Sequence, residues 1–172
     1  PRYWKEAVEK YSEDTLKAYG IVPRHVNTMY YRLRDAFLQR DPQLILKLSA
    51  ELGHYLADAN VPLHTTKNYN GQLTGQEGIH GFWESRVPEL LAEKQWDFFL
   101  GKAELIKNPG DFIWKRILES AAAADSVLSM ERELTKEFPP DRKYAFEERN
   151  GVTIRQYSSA FTLAYDVKLK GM

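Results

Sequence analysis

Three of the chain's four histidines, His54, His64 and His80, stand close together in the sequence, and two carboxylates, Asp58 and Glu84, each follow a histidine by four positions. On a helix, residues four apart share a face, with about 5–6 Å between Cβ atoms. His54 with Asp58, and His80 with Glu84, would each set an imidazole nitrogen beside a carboxylate oxygen. Such donors suit a divalent cation. Zinc bound without thiolates takes histidine nitrogen at about 2.0–2.1 Å and carboxylate oxygen at about 2.0–2.2 Å, and catalytic sites keep a position for water. That water becomes a nucleophile near neutral pH, and phosphate esters are among its targets. Either pair alone would read as a solvated helix face, because Lys47, Glu51, His54 and Asp58 continue a polar stripe opposite Leu48, Leu52 and Tyr55. The repetition of the spacing, and His64 just beyond Pro62, favour convergence on a metal.

The elements that must position these groups read as helices. Trp4 to Ala18 repeats apolar residues at helical spacing up to Gly20, and a second helix runs from Pro23 to about Arg40. Asp41-Pro42 is an N-cap followed by proline at the first helical position. The helix it opens carries His54 and Asp58 and should end near Asn60, ahead of Pro62. Val61 to Gly78 is a polar, glycine-containing loop. A helix from about Ile79 to Glu93 follows, bearing His80 and Glu84. A long helix capped by Asp111 runs to about Glu137 and stops at Pro139-Pro140, and a last helix covers about Thr153 to Lys170. No segment pairs convincingly as a sheet. The expectation is an all-α, multi-helix fold in a single domain over residues 1–172.

The series His54-Tyr55-Leu56-Ala57-Asp58-Ala59-Asn60-Val61-Pro62-Leu63-His64, then His80-Gly81-Phe82-Trp83-Glu84, resembles the motif of the zinc-dependent phospholipase C family and the related single-strand-specific zinc nucleases. The resemblance implies a helical phospholipase C/nuclease-like domain that holds up to three Zn²⁺ ions. It makes His54 a ligand of one ion and Asp58 a catalytic carboxylate bridging two. His64, His80 and Glu84 would complete another zinc site. The family's remaining ligands, including an N-terminal tryptophan amine, lie upstream and have no counterpart before His54, so the chain reads either as a domain lacking its N-terminal part or as a fragment of a longer one. His25, in Pro23-Arg24-His25-Val26, is expected to be structural or to support the metal ligands from behind. The implied activity is hydrolysis of phosphodiester bonds by metal-activated water, in an exported, periplasmic or secreted protein. Its substrate would be a phospholipid headgroup or single-stranded nucleic acid, with Tyr69 or Phe82 as a stacking surface at the site.

Composition narrows the alternatives. Lysine and arginine (24) balance aspartate and glutamate (24), which leaves no footprint for a stable complex with duplex nucleic acid. Cysteine is absent, so thiolate ligands and thiolate catalysis are excluded. No apolar run is long enough to span a bilayer. Glu51-x-x-His54 and Glu77-x-x-His80 also match the spacing of di-iron carboxylate bundles, but Glu77 adjoins Gly78 in a loop and His64 would have no role. A non-catalytic helical domain with a structural ion, or none, is the other class.

Overall fold

The structure, a computed structural model, describes residues 1–170. In chain order the elements are α1 (Trp4–Tyr11), α2 (Glu13–Tyr19), α3 (Val22–Gln39), α4 (Pro42–Ala59), a 3₁₀ turn (Pro62–Thr65), and α5 (Ile79–Gly81), which continues through a π-helical turn (Phe82–Arg86) into α6 (Val87–Gln95). Then come α7 (Pro109–Glu137), α8 (Pro140–Lys143), β1 (Tyr144–Arg149), β2 (Val152–Tyr157) and α9 (Ser159–Lys170). The fold is helical, as expected, apart from one antiparallel hairpin. Among the described residues no helix is long and apolar enough to cross a membrane.

The residues group into two compact units, Pro1–His64 with Glu104–Ala121, and Thr65–Ala103 with the chain from Ala122 onward. In the first unit α3 and α4 pack as an antiparallel-connected pair around Val26, Met29, Ala36, Leu48, Leu52 and Ala59, with Ile113 of α7. The link between them is short because Arg40 adopts a left-handed φ of 55° that stops α3 and Asp41 starts α4 at once. Its carboxylate accepts from the amides of Gln43 (3.1 Å) and Leu44 (3.0 Å), satisfying donors that a helix start leaves bare. The expected single N-terminal helix is two. Ser12 breaks it with φ 66°, and its Oγ accepts from the Thr15 amide at 3.3 Å to cap α2. Serine competes for backbone hydrogen bonds in this way at helix ends.

In the second unit the core is aromatic. Phe82 lies 4.2 Å from the Tyr157 ring, 5.0 Å from Tyr165 and 5.9 Å from Phe161, centroid to centroid. Ile79, Leu91, Val127 and Leu128 are buried around them. The hairpin corrects the sequence reading, which ran one helix from Thr153. β1 and β2 pair from Tyr144↔Tyr157 to Arg149↔Val152. The two residues between them, Asn150 and Gly151, have φ of 52° and 76°, both left-handed as a two-residue hairpin turn of this hand requires. α9 therefore begins only at Ser159, with Ser158 Oγ accepting from the Phe161 amide at 3.1 Å. The start of α7 is a smaller correction. Asn108 caps it, accepting from the Asp111 amide at 3.1 Å, so Asp111 lies inside the helix.

Candidate metal centre

The first group of expected ligands belongs to the last turn of α4 and the 3₁₀ turn after it, both in the first unit. His54 and Asp58 face outward on α4, Nε2 to Oδ2, at 3.5 Å. The other carboxylate oxygen, Oδ1, lies 3.5 Å from Nδ1 of His64. One carboxylate thus addresses two imidazoles, one with each oxygen. Proline is responsible for the approach of His64: Pro62 cannot extend α4, and the chain tightens into a 3₁₀ turn in which the His64 amide donates to the Val61 carbonyl at 3.2 Å. Ser120 on α7 fastens this helix end, donating from Oγ to the Ala59 carbonyl at 2.8 Å. The His54 side chain is 71% exposed, whereas Asp58 and His64 are each 30%. His25 is apart from these carboxylate contacts and packs edge-on to Tyr55, 4.7 Å between centroids, a structural placement.

The second group belongs to the second unit. His80 Nε2 and Glu84 Oε1 are 3.3 Å apart, both side chains 28% exposed. The expected regular helix is here a π turn, Phe82–Arg86, between two α segments. Pro88 accounts for it. It has no N–H to donate to the Glu84 carbonyl, and its ring crowds that carbonyl in an α-helix; a wider turn just before it relieves both conflicts. Such single π turns recur at functional sites.

What holds His80 in place was not foreseen. Asn70 Oδ1 accepts from the amides of Gly78 (3.1 Å) and His80 (3.4 Å), so a side chain ten residues upstream anchors the backbone of this candidate ligand. Gly71 follows with φ 76°, and a Cβ there would fall 2.4 Å from the Gln76 carbonyl oxygen. Gln76 in turn is buried. Its amide nitrogen donates to the Leu128 carbonyl at 2.8 Å and to the carboxylate of Glu131. Glu131 is fully buried and also accepts from Thr135 Oγ1 (3.0 Å) and Tyr157 OH (3.0 Å), and pairs with Lys143 Nζ at 2.8 Å. Burial pushes the Glu131 carboxyl up, but the Lys143 ammonium and the Gln76 and Thr135 donors outweigh burial and hold it below its usual value. The sequence did carry a signal for this residue: a glutamate on the buried stripe of α7 formed by Ala124, Val127, Leu128 and Leu134.

Of the two candidate stacking residues, Tyr69 is half exposed and stands edge-on to the His80 ring, 5.8 Å between centroids. Phe82 is not a substrate surface, because the residue is 2% exposed and its ring lies in the aromatic core. Compared with known proteins, the chain matches no family model, no curated protein and no solved structure.

Proposed function

We propose that the protein is a zinc-dependent phosphoesterase that hydrolyses phosphodiester bonds, with His54, Asp58 and His64 of the first unit and His80 and Glu84 of the second as its metal ligands. One observation carries this: within each unit imidazole and carboxylate stand together, His80 Nε2 with Glu84 Oε1 at 3.3 Å in the second, and in the first the two Asp58 oxygens each 3.5 Å from an imidazole, of His54 and of His64. Ligands of a single tetrahedral zinc stand roughly 3.5 Å apart by the bond lengths involved, so small side-chain rotations suffice. Imidazole nitrogen with carboxylate oxygen is a donor set suited to zinc more than to magnesium or calcium, which take oxygen. A zinc ion held there would lower the pKa of its water and offset charge on phosphoryl oxygens. The chain's own residues supply the rest. Asp58 orients the imidazoles of His54 and His64 with its two oxygens, Asn70 fixes the His80 backbone, and the exposed Tyr69 ring offers a face to a nucleobase or a lipid headgroup. An exported location follows from the same motif resemblance.

The test is metal content per chain by mass spectrometry after dialysis against trace zinc, alongside hydrolysis of bis(4-nitrophenyl) phosphate. The wild type should retain at least one zinc and hydrolyse the ester, and Glu84→Gln should lose both. A wild type without zinc, or a Glu84→Gln variant that keeps metal and rate, would refute the proposal.

A further inference from the structure

A cleft of 640 Å³ opens in the first unit, lined by Arg2, Tyr3, Trp4, Arg24, His25 and Trp114 among others. Its volume falls within the range of small-molecule sites, about 300–1,000 Å³. Two features of its chemistry are organised toward an anion. The guanidinium of Arg24 lies over the rings of both Trp4 and Trp114, 5.4 Å from each centroid. It donates through Nη2 to the carbonyls of Pro1 (2.7 Å) and Arg2 (3.4 Å). These contacts orient the cation without neutralising it. Arg2, by contrast, is already ion-paired with Asp111. The first turns of α3 and α7 also border the cleft, at Ile21, Pro23, Asn108 and Gly110, and helix starts carry partial positive charge. Gly110 keeps the wall close: a Cβ there would meet Asn27 Oδ1 at 3.2 Å.

The rest of the lining is aromatic and reachable. Tyr3, Trp4 and Tyr31 are 71%, 37% and 41% exposed. A stacked, oriented guanidinium beside open ring faces is suited to a ligand that joins an anion to a flat ring. We infer that this cleft is a binding site for a phosphate monoester carrying a planar ring, the phosphate meeting Arg24 and the ring stacking on Trp4, Tyr3 or Tyr31. This does not depend on the metal centre.

Trp4 and Trp114 make the site self-reporting. Tryptophan fluorescence is followed in chelator-containing buffer while phenyl phosphate, adenosine monophosphate, benzoate, inorganic phosphate and phenol are titrated separately. Saturable quenching by phenyl phosphate and adenosine monophosphate, with phenol and inorganic phosphate weaker by about tenfold or more, is the expected result. Benzoate binding as tightly as phenyl phosphate would overturn the assignment to phosphate. Arg24→Gln should weaken phenyl phosphate about tenfold or more, while Glu84→Gln should leave it unchanged. Where Arg24→Gln does not fold, Arg24→Lys decides: it keeps the charge but not the planar, ring-stacked fork, and should weaken phenyl phosphate, unchanged binding overturning the inference. Equal affinity for phenol and phenyl phosphate, absence of saturation through the millimolar range, or unchanged binding in a folded Arg24→Gln protein would overturn the inference.

Discussion

Replacing Glu131 with leucine should be among the most damaging single changes in the second unit. The carboxylate is 1% exposed and its ammonium partner on Lys143 only 12%. Leucine would leave that ammonium buried without its counter-charge, and would strip an acceptor from Gln76, Thr135 and Tyr157. Breaking a buried pair from one side costs about 3–5 kcal/mol. For a chain of this size each kcal/mol lowers the melting temperature by about 2–4 °C, so a fall of roughly 6–20 °C is expected by calorimetry. The double change Glu131→Leu with Lys143→Met removes both charges and should recover at least half of that loss, because a buried pair is worth little net against apolar replacement. Acid supplies an independent arm. The folded carboxyl is held below its unfolded value near 4.5, so its stabilisation is complete above that pH and disappears as pH falls through the folded value. Glu131→Gln should therefore flatten the loss of stability below about pH 4.5. A Glu131→Leu protein within about 1 kcal/mol of wild type, or an unchanged acid slope in Glu131→Gln, would refute the role assigned to this network.

Other sites give sharper local expectations. Gly71→Ala should destabilise the turn that holds His80 by more than the roughly 1 kcal/mol of a left-handed alanine, because its Cβ would collide with the backbone of Gln76; urea denaturation reads the loss, and unaltered stability would show that the turn re-forms. Asp41→Ala should lower stability by about 1 kcal/mol through loss of the α4 cap, with Asp41→Asn nearly neutral in the same assay. Gly151→Ala, at φ 76° with nothing near its added Cβ, should cost about 1–2 kcal/mol from strain alone.

The helices were legible where caps and periodicity agreed. Asp41-Pro42 and the stripe Leu48, Leu52 define α4 in sequence and structure alike. The hairpin was missed although Asn150-Gly151 is a strong turn signal. Only Tyr157 of the strand residues is fully buried, so the alternation that marks a half-buried strand is faint, while Tyr157, Phe161 and Tyr165 imitate helical spacing across the real boundary at Ser158. Local pairings at the site were legible too: four-residue spacing sets His54 beside Asp58 and His80 beside Glu84. What supports them was not. Asn70 reaches His80 across ten residues and Glu131 reaches Gln76 across 55. Such contacts are made by folding and leave no spacing to read.

The two histidine–carboxylate pairs share a spacing but differ in setting, and that difference orders them. His54 and Asp58 lie on regular α-helix with the imidazole 71% exposed. Glu84 lies in the π turn and His80 just before it, each 28% exposed, with the His80 backbone tied to Asn70. Side chains already held in place lose less rotamer freedom on binding an ion, and charge–ligand attraction is stronger away from water. Among the metal ligands proposed above, the first zinc should therefore go to His80 and Glu84, and any second ion to His54 and Asp58. Stepwise titration with a chromophoric chelator as competitor checks this. His54→Ala should leave the tightest step unchanged and remove a weaker one, whereas Asn70→Ala should weaken the tightest step while leaving any His54 step in place. If His54→Ala instead abolishes the tightest step, burial and backbone anchoring do not set the order of loading.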